Sequence, residues 1–395
     1  MIGDVVIENF KSITKLELSL GRINVLIGAN GCGKSNILEA IVLASLVAED
    51  KLENQFFAPR GSRLPDDPRL LVSAFSADLD PTLVLEASET EPLNNYTRPL
   101  RRQVYTDITS PYLSLTIKDG SFEPEEHREA YAYKLNISPK QLPNEPIIPD
   151  EIRDPDYMRT LNRLSYARSE YIHDFMIFSP ENEILRNFDK EGQIVPLGAK
   201  GEGLLKLISV LGGSQFDADK KVIDEVKGEL RRLIDWFDDF EFSPTVVFGD
   251  RSIRIKDKYF SSQSPEMSQR SSNEGFLFLL FYFCLFISDL TPKFFAVDNI
   301  DASLNPKLCA RLMVQLTELA KKHDKQAIFT THNPAVLDGI NLDDDEQRLF
   351  VVYRNGDGHT TVKRVQKPQP LPGQKPVKLS EAFMRGYIGG LPDNF

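Results

Sequence analysis

Residues 28 to 35 read Gly28-Ala29-Asn30-Gly31-Cys32-Gly33-Lys34-Ser35, which completes the pattern G-x-x-x-x-G-K-[ST]. Glycines at this spacing let successive backbone N–H groups turn inward around phosphates, an approach that Cβ atoms would obstruct. Lys34 then reaches the β- and γ-phosphates of a nucleoside triphosphate, and the Ser35 hydroxyl ligates Mg²⁺. The chemistry expected of these residues is therefore the binding of a nucleoside triphosphate with Mg²⁺.

Other residues could complete such a site. Phe294-Phe295-Ala296-Val297-Asp298 is an apolar strand pattern ending in an acid. At the carboxyl end of that strand, Asp298 would hold the Mg²⁺ water shell across from Ser35. Ile328-Phe329-Thr330-Thr331-His332-Asn333-Pro334 brings His332 to the end of another buried strand. From there it would look onto the phosphate crevice, although a histidine so placed can also be a capping or packing residue.

The elements that must position these groups are legible in the apolar periodicity. Ile23 to Ile27 is an apolar run before the loop, and Asn36 to Ala44 follows as an amphipathic helix whose N-terminus adds its dipole to the anion site. Two short strands, Val5 to Glu8 and Leu16 to Leu20, precede them and are joined around Phe10-Lys11-Ser12. A regular alternation begins at residue 274: helix Glu274 to Ile287, strand Phe294 to Val297, helix Pro306 to Lys322 and strand Gln326 to Thr330. It continues with a helix from Pro334 and strands Leu349 to Tyr353 and Thr360 to Val365. Such alternation predicts an α/β protein with a mostly parallel sheet flanked by helices.

The expected organisation is a nucleotide-binding domain split between residues 1–50 and 265–395. A partly helical accessory region, 51–264, is inserted between the halves and projects from one side. Within it the pattern predicts strands near Leu70 to Phe75 and Tyr112 to Ile117, and helices over Gly203 to Leu211 and Val222 to Trp236. The Pro- and acid-rich stretch Ser138 to Asp156 reads as a loop, and Gln366 to Pro376 as a linker.

With 395 residues, 41% of them hydrophobic, the chain can bury a large core. No apolar stretch reaches the roughly 18 residues of a membrane span, and the N-terminus lacks a signal-peptide pattern, so a cytoplasmic protein is expected. Three scattered cysteines are too few for a disulfide framework or a zinc site. A net charge of −11 argues against broad nucleic-acid binding and leaves room only for local DNA or RNA contact, as at Arg98, Arg101 and Arg102.

The order of these pieces resembles ABC-type P-loop ATPases of the SMC, RecF and OLD-like group. The matching residues are Ile7-Glu8-Asn9-Phe10-Lys11-Ser12, the glycine-rich loop with Asn36 after its serine, Val297-Asp298 through Leu304-Asn305-Pro306, and Thr330-Thr331-His332-Asn333-Pro334. The resemblance implies that Asp298 is the Walker B acid, that Asp301 lies in the D-loop and that His332 is the switch histidine. It also implies a head-to-head homodimer, or a higher even oligomer, closed around ATP by a signature segment from the opposite subunit. Ser271-Ser272-Asn273-Glu274-Gly275 is the candidate segment, with Ser272 and Gly275 facing the γ-phosphate. Ser272 as an ordinary helix N-cap is the alternative reading. A Q-loop residue is not identified; Gln55 is available but nothing around it is diagnostic.

One position departs from the pattern. The Walker B acid of this group is normally followed by a glutamate that orients water, and here Asn299 stands there. A neutral amide accepts protons poorly, so general-base assistance of roughly 10²- to 10⁴-fold is missing unless Asp301 or His332 supplies it. Slow turnover is expected. The region 51–264 is too short and irregular for SMC coiled-coil arms, and no Toprim nuclease region is expected after the core. The resemblance then points to stand-alone ATPases that regulate a separately encoded effector, commonly a nuclease, in bacterial anti-phage defence. A RecF-like DNA-binding ATPase of repair or recombination is the alternative, while a transporter subunit is disfavoured by the missing LSGGQ-like signature.

Overall fold

The computed structural model describes residues 1–49, 51–73, 75, 80–89, 100–110, 112–117, 171–187, 196–213, 216–242, 252–261, 267–367 and 377–390. The N-terminal elements are β1 (Ile2–Phe10), β2 (Ile13–Ser19), β3 (Ile23–Ile27) and α1 (Lys34–Ala48). Next come β4 (Thr82–Glu89), β5 (Leu100–Thr106), β6 (Leu115–Ile117), β7 (Ile177–Phe178) and the short α2 (Asn182–Arg186). Two longer helices follow, α3 (Leu204–Gly213) and α4 (Asp217–Leu233), then β8 (Phe237–Phe242), β9 (Ile253–Asp257) and β10 (Met267–Ser268). The last stretch holds α5 (Glu274–Ile287), β11 (Phe294–Val297), α6 (Pro306–Lys322), β12 (Gln326–Thr330), β13 (Gln347–Arg354), β14 (Thr360–Val365) and α7 (Leu379–Met384).

A six-stranded sheet, in the order β14-β13-β3-β12-β11-β7, carries the candidate site. It is parallel except at the β14 edge, so β3, β11 and β12 release their loops at the same end. Every residue of these three strands is buried, which is why they read as continuous apolar runs. Alternate residues face two separate layers. Ile23, Val25, Ile27, Phe295 and Val297 join the cluster of α5 and α6, while Leu26, Phe294, Ala296 and Ile328 pack with α1 and the first strands. Helix α5 is buried from Phe276 to Ile287, as a core helix apolar on every side must be.

A five-stranded antiparallel sheet, in the order β2-β1-β4-β5-β6, covers α1, and a three-stranded one, β10-β9-β8, adjoins α4. Strands β4 to β6 and β7 come from within residues 51–264, so described parts of this region join both larger sheets. Among the described residues no helix is long and apolar enough to cross a membrane.

Several local expectations differ from the structure. No strand spans Leu70 to Phe75: Pro68–Leu70 is a 3₁₀ turn whose Asp67 side chain accepts from the Arg69 N–H, and Val72 makes only one bridge, to Phe10. Strand β6 is limited to Leu115–Ile117, and the segment after Pro334 is a 3₁₀ helix, Pro334–Gly339. Helix α4 starts earlier than Val222, because Asp217 and Asp219 occupy its first turn and favour its N-terminus, and it ends at Leu233, short of Trp236. The predicted loop Ser138–Asp156, the residues from 368 to 376 and Arg98 lie outside the described residues.

Candidate functional site

The loop after β3 turns back tightly before α1, and two glycines make the turn possible. At Gly28 (φ +154°) a Cβ would lie 2.1 Å from the Val352 carbonyl oxygen, and at Gly33 (φ +109°) 2.1 Å from Thr360 Oγ1. Neither place admits a side chain. Thr360 Oγ1 donates to the Cys32 carbonyl (3.0 Å) and shares a 2.6 Å hydrogen bond with Ser12 Oγ, which accepts from Asn36 Nδ2 at 2.7 Å. Asn36 and the β1–β2 turn thus hold the loop from behind. Arg354 Nε donates to the Gly31 carbonyl at 2.9 Å from the other side.

Lys34 is buried, and its Nζ donates to the carbonyls of Gly28 (2.8 Å) and Ala29 (3.1 Å) with Cys32 Sγ at 3.8 Å. Burial lowers its pKa, while Cys32 and Asp298 oppose the shift. The ammonium therefore sits inside the turn of the loop, where phosphate oxygens can take over the role of the carbonyls. Ser35 follows half-buried in the first turn of α1, and Asn30 and Gly31 are exposed at the loop's tip.

Asp298 directly follows β11 and is half-buried, its N–H bonded to the Phe178 carbonyl of β7 at 2.8 Å. Thr330 Oγ1, at the end of β12, donates to Asp298 Oδ1 and accepts from the Asn299 N–H at 2.9 Å. Asn299 has φ +54° and Ser303 φ +60°, so the five-residue loop 299–303 holds two non-glycine residues in the left-handed region. Such conformations persist only where surrounding contacts fix them. Thr331 Oγ1 fixes Asp301 by donating to Oδ1 at 2.5 Å.

His332 follows these threonines at the surface. Partial burial and the nearby Lys34 cation lower its pKa, with Asp301 and Asp298 pulling the other way. The net shift favours the neutral imidazole. Mg²⁺ usually keeps several waters and takes one or two protein oxygens plus substrate phosphates. Ser35 and Asp298 suit that donor set, and no cluster of three or more His, Cys, Asp or Glu among the described residues offers a separate metal cage.

The segment before α5 is arranged differently from expectation. Asn273, not Ser272, caps the helix, its Oδ1 accepting from the Phe276 N–H at 2.8 Å. Ser272 is buried and donates to the Gln269 carbonyl at 3.0 Å. Gly275 lies in the first turn beside Ser303 and Leu304, and Ser303 Oγ donates to Glu274 Oε2 at 2.8 Å. This helix start and the acid loop therefore form one continuous face. Gln55 is exposed in a 3₁₀ turn, Asn54–Phe56.

The pairing of Glu39 with two cations, one of them Arg63, is not evident from the sequence. Glu39 of α1, 2% exposed, pairs with Lys11 Nζ (2.6 Å) and Arg63 Nε (2.8 Å). The hydrogen bond and charge of Glu39 raise the Arg63 pKa, with a lesser contribution from Asp298. An acid amid the apolar residues of α1 was the available signal for Glu39, whereas nothing around Arg63 marks it.

No curated protein matches the chain in sequence. Among solved structures it is similar to an Smc head bound to the C-terminal winged-helix domain of ScpA, with TM-score 0.52, 19% identity, and coverage of 92% of this chain and 98% of that one. It is also similar to the SMC head domain from Thermotoga maritima (TM-score 0.45, 14% identity, coverage 92% and 99%). A Pyrococcus furiosus Smc head with an extended coiled coil, bound to the C-terminal domain of ScpA, gives TM-score 0.47 and 15% identity over 92% and 96% of the two chains. The first of these likenesses gives the fold, the α/β architecture of an ABC-type P-loop head. Residues 23–338 match the family described as AAA domain, putative AbiEii toxin, type IV toxin–antitoxin system, and with this much of the sequence covered the chain belongs to that family.

Proposed function

We propose that the chain binds Mg·ATP between the Gly28–Ser35 loop and Asp298, dimerises around it and uses the closed state to regulate a separately encoded effector. The observation that carries the reading is the meeting, at one end of the parallel sheet, of the glycine-turned loop that holds Lys34 with the ends of β11 and β12, where Asp298 is bonded to Thr330 and Asp301 to Thr331. Lys34 and the loop N–H groups would hold the phosphates, Ser35 and Asp298 the Mg²⁺, and neutral His332 a water or phosphate oxygen. A bound Mg²⁺ would neutralise charge on the phosphates. The face shared by Gly275 and Ser303 would close the site of an opposing subunit. With Asn299 beside Asp298, hydrolysis is slow and ATP acts as a clamp.

The family description, a putative toxin of a type IV toxin–antitoxin system, supports a defence role in bacteria. A nuclease is the effector class proposed for it. Equilibrium titration with a fluorescent ATP analogue tests the nucleotide reading: Lys34→Ala should weaken binding at least about 10- to 100-fold, the worth of lost charged hydrogen bonds. Unchanged affinity in a folded variant would refute it. ATP-dependent co-purification with a nuclease encoded beside this chain tests the effector reading.

A further inference from the structure

We infer that Thr330 is a positioning residue for the Asp298 carboxylate and, through it, for Mg²⁺; the inference rests on the nucleotide reading above. Thr330 is the last residue of β12 and is fully buried. A hydroxyl has one proton and two lone pairs. Here the proton goes to Asp298 Oδ1 and a lone pair accepts the Asn299 N–H at 2.9 Å. The Thr330 carbonyl accepts the Ile300 N–H at 3.1 Å. One residue of β12 thus fixes three successive positions after β11.

The consequence is mechanical. A carboxylate held at Oδ1 by a charge-assisted hydrogen bond loses its freedom to turn, and the left-handed backbone of Asn299 is pinned by the same oxygen. Packing alone does not call for threonine, because a buried strand position after Ile328 and Phe329 suits valine of the same shape equally well. The hydroxyl is what valine lacks. Thr331 supplies an internal control: its hydroxyl serves Asp301 (2.5 Å) and the Asn333 N–H (3.0 Å), not Asp298.

The test is the Mg²⁺ dependence of fluorescent-ATP binding to the full chain. Thr330→Val should raise the Mg²⁺ concentration for half-maximal binding about 10- to 100-fold, the range for lost outer-shell partners of metal ligands. Binding in EDTA should be unchanged, and Thr330→Ser should restore the wild-type curve. A Thr330→Val curve that overlays wild type, or failure of Thr330→Ser to restore it, overturns the inference. Wild-type binding that ignores Mg²⁺ overturns the inference, and wild type that binds no nucleotide with or without Mg²⁺ overturns the nucleotide reading itself. Should Thr330→Val not fold, hydrogen exchange of the wild-type Asn299 amide decides: protection supports the clip, and unprotected exchange refutes it.

Discussion

Asn299 occupies the place where a water-orienting glutamate is expected, and its backbone gives a reason for an amide there. At φ +54° it lies in the left-handed region, which asparagine tolerates better than other side-chain-bearing residues. A glutamate would add a proton acceptor at the cost of backbone strain. Asn299→Glu is therefore expected to raise steady-state phosphate release by up to about 10²- to 10⁴-fold. The same variant should lower stability by about 1 kcal/mol, read from chemical denaturation. A folded variant with wild-type turnover would show that this position does not limit hydrolysis. Turnover of many per second in the wild type, surviving Asp301→Ala, would contradict the slow-clamp account.

At the level of elements, the far end of α1 is tied down by charge. Glu49 caps the helix and accepts from Arg60 (2.7 Å) and the Asp174 N–H (2.9 Å), while Arg60 Nη1 donates to Ser45 Oγ at 2.6 Å. Burial pushes the Glu49 carboxyl upward, but Lys51, Arg60 and the Asp174 N–H outweigh it and hold the pKa at about 2. A depressed acid stabilises the fold above its ordinary value of 4.5 and loses that stabilisation as pH falls toward 2. Glu49→Gln should thus destabilise the protein at pH 7 by about 2–3 kcal/mol and flatten the acid limb of its stability profile between those values. Equal acid sensitivity of variant and wild type would refute the linkage.

The same elements mark what the sequence could and could not disclose. Strands β3, β11 and β12 and helices α5 and α6 carry their signal locally, as apolar runs and amphipathic periods bounded by Asn and Pro caps. The strand expected at 70–75 failed because Asp67 and Pro68 set a local turn. Two-residue β7 exists only by pairing with β11, and Arg63 reaches Glu39 across a loop, so neither leaves a periodic trace. Lys34 and Asp298 stand out in the sequence by motif spacing, and Asp301 and His332 by the resemblance; their roles are proposals. The roles of Ser272 and Asn273 depended on which way one helix start turned.

For the whole molecule, the parallel sheet gathers the loops after β3, β11 and β12 at one end, and α5 presents Gly275 and Glu274 next to the acid loop. In the proposed reading a single chain carries both a phosphate-binding mouth and a face that closes another one. The charge of −11 makes DNA a weak candidate for the closing partner, since phosphate-dominated binding favours basic surfaces. A second copy of the chain is the partner proposed for that face. Sedimentation velocity of wild type and Lys34→Ala with Mg·ATP, with bound nucleotide counted in the sedimenting species, tests this most directly. The account predicts a monomer without ATP, a dimer carrying two ATP with it, and a monomer for Lys34→Ala under both conditions. Wild type that binds ATP and still sediments as a monomer would contradict it.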